Sequence, residues 1–208
     1  MTKDTLMQIS ESNMLAKRGI RRRTNCMGLS TMSELLDAAK VLLVREGAKG
    51  FTLDRVAKEA QVTKGTLLYH FHTKNHLLTA LINDYTDHLQ EKLDEGKKAA
   101  RASLKYRKDV DETLAGFIEW YREFRRQDLA YTAYGLKILA LAAESSELKN
   151  RVRDWYLDVF TQVRKSACPQ ALEIVLTLEG LFFLRHFQVD VTTDEEVEAL
   201  LEKLEKLL

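Results

Sequence analysis

Apolar positions recur every three to four residues along most of this chain, the spacing of one face of a helix. The first such run carries Leu35, Leu36, Ala39, Leu42 and Leu43. Thr31 followed by Glu34 has the capping-box spacing for its start, and Gly47, which tolerates a left-handed cap, is placed to end it. Thr52 offers an N-cap for a second helix over 53–60, with Leu53, Val56, Ala57 and Ala60 on one face. After Gln61 and Val62, Thr63 caps a third helix of barely two turns, in which Leu67 and Phe71 lie four apart and face inward. Two short helices joined by a tight turn predict a helix-turn-helix, whose second helix enters the DNA major groove.

The helical period continues to the end of the chain. Thr73 caps a fourth helix with Leu77, Leu78, Leu81, Ile82, Tyr85, Leu89 and Leu93 in one stripe, running to about Ala100. Residues 103–110 read as a loop. Asp109 or Asp111 caps a fifth helix with Leu114, Phe117, Ile118, Tyr121 and Phe124 inward; Arg122, Arg125 and Arg126 sit near its end, where the helix dipole favours cations. Asp128 opens a sixth, and Ser145 or Ser146 caps a seventh. Pro169, tolerated at a helix start, opens an eighth. Thr192 and Thr193, followed by Glu195 and Glu196, cap the last. The eighth helix is apolar nearly all round, so its outer side most easily finds cover in a second subunit. Leu176, Gly180, Phe183 and Phe187 form the stripe expected at that dimer interface, with the seventh helix beside it.

The third helix carries short hydroxyls, a cation, a phenol and an imidazole: Thr63, Lys64, Thr66, Tyr69 and His70. All can donate to phosphates or base edges, and threonine methyls can touch thymine. Gly65 costs helix stability but lets a helix press close to a DNA backbone. The run Thr52-Leu53-x-x-Val56-Ala57-x-x-Ala60-Gln61-Val62-Thr63-Lys64-Gly65-Thr66-Leu67-Leu68-Tyr69-His70-Phe71, followed by Thr73-Lys74-x-x-Leu77-Leu78, resembles the TetR/AcrR family of bacterial repressors. Two positions depart from its pattern: Gln61 stands where the family usually has Gly, and Leu68 where an aromatic is common. The resemblance implies an all-α homodimer, with an N-terminal three-helix DNA-binding domain and a C-terminal helical domain for ligand binding and dimerisation. The expected DNA-binding set is Thr52, Thr63, Lys64, Gly65, Thr66, Leu68, Tyr69, His70 and Lys74. The expected boundaries are a basic extension over 1–29, a DNA-binding domain over 30–78 and a ligand and dimer domain over 79–208.

Charge agrees with that division. Residues 1–80 hold 13 Lys/Arg against 7 Asp/Glu, and residues 81–208 hold 19 against 24. A basic half joined to an acidic one confines nucleic-acid contact to the first. Lys17, Arg18, Arg21, Arg22 and Arg23 suit either an arm that tracks phosphates or a solvated tail. The basic N-terminus lacks an apolar signal core, and no apolar run spans a membrane. Cys26 and Cys168 make neither a metal spacing nor a disulfide framework, so a cytoplasmic location is expected.

His70, His72 and His76 lack a carboxylate or thiol partner in sequence and read as a polar DNA-proximal face, with no metal or other cofactor implied. No nucleophile elbow, phosphate loop or zinc-protease motif is present, so an enzyme is not expected. Aromatics gather between the fifth and seventh helices. Phe117, Trp120, Tyr121, Phe124, Tyr131, Tyr134 and Trp155 are the expected ligand set, and few charges among them point to a small apolar ligand. Core packing is the other reading of such stripes; the resemblance, whose family keeps a pocket there, favours a ligand. The expected function is a ligand-responsive repressor released from a palindromic operator. The alternative is a DNA-bound nucleoid protein without a ligand, which would have a filled second half.

Overall fold

The structure, a computed structural model, describes the backbone of residues 27–208 except 127, 128 and 144, and the side chains from 32 onward except 127–133 and 144. The basic cluster at 17–23, Cys26 and the expected cap Asp128 lie outside the described residues. Among those described there are nine helices and no strand: α1 Met27–Gly50, α2 Leu53–Glu59, α3 Lys64–His70, α4 Lys74–Ala102, α5 Glu112–Arg126, α6 Leu129–Ala143, α7 Ser146–Val163, α8 Ala171–His186 and α9 Asp194–Glu205. The chain is all-α, as expected. It divides into two compact units, one of the described residues up to Leu81 with Ala133–Leu141, the other of Ile82–Thr132 with Ala142–Leu208.

In the first unit, α1 already runs at Met27, so Thr31 lies inside the helix rather than at its cap. Gly47 interrupts the helical backbone with φ +68° and ψ −171°, a conformation essentially restricted to glycine. Phe51, Leu35, Leu42, Leu43, Leu67 and Phe71 are fully buried, each large side chain contributing about 1.5–3 kcal/mol of apolar transfer. The Arg45 guanidinium donates to Glu59 at 3.0 and 2.6 Å and clamps α1 to α2. From α6, Tyr134 is buried and donates to the Leu81 carbonyl at 3.0 Å.

The turn between α2 and α3 has a specific geometry. Thr52 caps α2, accepting from the Arg55 amide at 3.4 Å, and Thr63 caps α3, accepting from the Thr66 amide at 3.1 Å. Between them the Val62 amide donates to the Ala57 carbonyl at 2.9 Å and the Gln61 amide to the Lys58 carbonyl at 3.1 Å. This paired closure requires a left-handed residue between, and Gln61 takes it with φ +57°.

In the second unit α4 and α5 touch backbone to backbone. A Cβ on Gly96 would lie 2.2 Å from the Gly116 carbonyl oxygen, an approach only glycine permits. Asp111 is the cap of α5, accepting from the Thr113 and Leu114 amides at 2.9 and 3.1 Å. Ser145 caps α7. Thr193 and Glu196 close a reciprocal capping box on α9. Pro169 falls in the turn before α8 rather than at its first position.

The arginines at the end of α5 do more than answer the helix dipole. Arg122, buried, pairs with Glu119 at 3.0 Å, with Glu198 at 3.0 Å and with Glu205, while Arg125 reaches Asp194 and Glu198. They staple α9 to α5.

Candidate functional site

The third helix is fixed from behind and open in front. Leu67 and Phe71 are fully buried, and between them Tyr69 is 79% exposed. Thr52, Thr63, Lys64, Gly65 and Lys74 are exposed, while Thr66, Leu68 and His70 are half-buried. The Thr63 and Thr66 hydroxyls lie 2.9 Å apart, so the cap also orients the next threonine. Lys64 pairs with Asp54 at 2.9 Å, and the Lys74 ammonium stands 5.7 Å from the Phe51 ring centroid. Tyr69 and His70 meet edge to face at 5.2 Å. His72 Nδ1 lies 2.9 Å from the Leu68 carbonyl at the end of the helix. This surface offers hydroxyls, a phenol and the Lys64 cation within two helical turns, with the Lys74 cation at the start of α4, and can serve both phosphates and base edges.

Four of the aromatics in the expected ligand set come together in the second unit. Phe117, Trp120, Tyr121 and Phe124 of α5 line a cleft with Leu178, Glu179 and Phe182 of α8. Trp155 stands 6.5 Å from Trp120, edge to face, and donates to Gln90 Oε1 at 3.2 Å. Tyr134 is elsewhere, in the first unit, and the Tyr131 side chain lies outside the described residues. The cleft encloses about 10 Å³, room for about one water.

Two polar groups belong to this region that the sequence reading missed. Glu179 accepts from the Tyr156 hydroxyl at 3.0 Å. Burial pushes its carboxyl up to about 7, against the Tyr156 hydrogen bond, which lowers it. His186 is buried, with the Phe182 and Phe124 rings stacked at 4.5 and 5.9 Å. Neither of its ring nitrogens has a hydrogen-bond partner among the described residues, and burial lowers it to about 4. Their spacing was the available signal: Val175, Glu179, Phe182 and His186 recur at four, three and four residues, one inward face of α8.

The opposite side of α8 is bare. Leu176 is 58% exposed and Phe187 54%. Gly180 faces open space, and Phe183 is half-buried.

Comparison with known proteins gives two family matches. Residues 35–81 match the family described as "Bacterial regulatory proteins, tetR family". Residues 115–208 match "Tetracyclin repressor-like, C-terminal domain". The chain is similar to TtgW, an uncharacterized HTH-type transcriptional regulator of Pseudomonas putida, with 34% identity over 61 residues, 29% of this chain and 46% of that protein. It is similar to SrpR, an HTH-type transcriptional regulator of the same species, with 34% identity over 61 residues, 29% of each chain. The chain thus spans less than half the length of either relative. Among solved structures, a TetR-family member from Streptomyces coelicolor A3 superposes with a TM-score of 0.65 at 21% identity, over 86% of this chain and 98% of that one. The multidrug binding protein EbrR, complexed with imidazole, gives 0.59 at 24% identity, over 85% and 93%. At those identities the structures share the fold.

Proposed function

The chain belongs to the TetR family of bacterial regulatory proteins, and we propose that it is a homodimeric transcriptional repressor, held on a palindromic operator and released by a small, mostly apolar molecule. The observation that carries this reading is the third helix: α3 buries Leu67 and Phe71 and turns Thr63, Lys64, Gly65 and Tyr69 to solvent. Thr52, Thr63, Lys64 and Lys74 hold phosphates, Gly65 permits close approach, and Thr66, Leu68, Tyr69 and His70 face the bases. The bare stripe Leu176–Gly180–Phe183–Phe187 supports a two-fold partner on α8. The ligand sits among Phe117, Trp120, Tyr121, Phe124 and Trp155. The protein works in the cytoplasm, without catalysis and without a cofactor. No described helix is long and apolar enough to cross a membrane.

A selection from randomised duplexes tests this. The expected product is an inverted repeat whose half-sites lie about 34–36 Å apart, or a multiple of that. Thr66→Ala should relax the preference at one position by about 1–3 kcal/mol. Recovery of no motif, or of one that Thr66→Ala leaves unchanged, contradicts base readout by this helix. A nucleoid protein without a ligand is the second reading. It is favoured by the small volume of the described cleft, far below the several hundred Å³ of a preformed site.

A further inference from the structure

We propose that the cleft between α5 and α8 is a site for an organic amine with an aromatic body, bound as its ammonium ion against Glu179. The inference rests on the reading of the chain as a ligand-responsive regulator and adds the chemical class of the ligand. Glu179 lines the cleft with Phe117, Trp120, Tyr121, Phe124 and Phe182, and no cation stands within ion-pair distance of it among the described residues. Aromatic faces attract an ammonium through their negative quadrupole. Glu179 is half-buried at the cleft wall; a carboxylate withdrawn from water without a cation is costly, and a ligand that brings one repays that cost. The two features together select a cation over a neutral or acidic molecule of the same shape.

The groups around Glu179 leave its charge to the ligand. From α7 the Tyr156 hydroxyl donates to it, and from α4 Tyr85, itself pushed up by burial and by the Glu179 charge, faces it. From α5 come the uncharged rings. Further along α8, His186 is neutral near pH 7, and Arg185 is engaged by Asp190 at 3.4 Å and the Arg125 carbonyl at 2.9 Å. With its carboxyl near 7, Glu179 is half protonated at neutral pH. An ammonium ligand must therefore displace that proton to solvent as it binds. The cleft is narrow, so the ligand also parts the rings.

The test uses the full-length protein and three isosteres: phenylbutylamine, phenylbutanol and phenylbutyric acid. Calorimetry in two buffers counts protons. The amine should bind at least about tenfold more tightly than either isostere, and tighten about tenfold from about pH 6 to about pH 8 while releasing a proton. Glu179→Gln should erase both the preference and the pH dependence. Tyr156→Phe should keep the preference and move the pH ramp upward. The proposal is overturned if the alcohol or acid binds as well as the amine, if the amine's affinity is flat with pH, or if the amine does not bind. An amine that binds with this pH signature but leaves operator affinity unchanged upholds the site and removes the regulatory reading. Operator release by the alcohol as readily as by the amine does the reverse.

Discussion

Lys64 Nζ stands 2.9 Å from Asp54 Oδ1, so the cation at the start of the third helix already holds a partner in the free protein. Both side chains are more than half exposed, and such a pair is worth about 0–1 kcal/mol. A phosphate can replace Asp54 at little cost. Asp54→Asn should therefore tighten DNA binding several-fold without changing sequence preference, and barely alter stability. Lys64→Ala and Lys74→Ala should each make the salt dependence shallower by about 1 per subunit. Affinity titrations at several salt concentrations check this; slopes unchanged in both lysine variants would mean that neither ammonium meets a phosphate.

Gln61 holds φ +57° in the turn before that helix. A non-glycine residue there costs about 1–2 kcal/mol, and glycine gives back about 0.5–1 kcal/mol through its greater unfolded freedom. Gln61→Gly should thus raise stability by about 0.5–1 kcal/mol, and Gln61→Val should lower it. Urea midpoints at constant slope report the change. A destabilised glycine variant would show that the Gln61 side chain holds the turn by a contact that outweighs its strain.

Much of this was legible in the sequence. Helical spacing, the caps at Thr52, Thr63, Thr73 and Thr193 and the inward pair Leu67 and Phe71 are local features, and local chemistry decides them. The early start of α1 was not, because a helix can run through Thr31 when no competing cap is needed. Gly96 against Gly116 was missed because their approach depends on how two distant helices cross. Arg122 read as a dipole partner, whereas its acidic partners Glu198 and Glu205 lie more than seventy residues away. Glu179 and His186 were hidden because α8 reads as apolar nearly all round in sequence. Tyr134 shares the aromatic pattern of the second half, but its hydroxyl belongs to Leu81.

Glu179 and His186 should give the protein two opposed pH ramps. Glu179 ionises near 4.5 when unfolded but is held up to about 7 when folded. Its contribution is full below the lower value and lost as pH rises toward the upper, about 3 kcal/mol in all. His186 runs the other way: burial lowers it from 6.5 to about 4, so stability is full above the upper value and lost as pH falls, again by about 3 kcal/mol. The two nearly cancel in the native chain. Glu179→Gln should leave a stability that climbs with pH over the acidic range, and His186→Phe one that falls toward neutrality. Denaturant unfolding across that range separates them; identical profiles for both variants would contradict the assignment.

The bare face of α8 predicts the oligomeric state. Gly180→Arg or Phe183→Glu would place an unpaired charge in the proposed two-fold contact, which is strongly unfavourable. Since that face is open in the single chain, the variants should fold and sediment as monomers. A dimer that survives both changes moves the interface to another surface.

Ligand-driven release from DNA is tested by measuring reciprocity in one sample. The measurement takes the affinity for the selected operator with and without saturating amine, and the affinity for the amine with and without operator, following Trp120 and Trp155 fluorescence. A ligand releases DNA only by binding the DNA-incompetent form more tightly, and the coupling must be equal in both directions. A coupling of about 3 kcal/mol predicts that each partner weakens the other about 150-fold. A site filled to saturation with operator affinity unchanged would show that ligand occupancy and DNA release are not coupled.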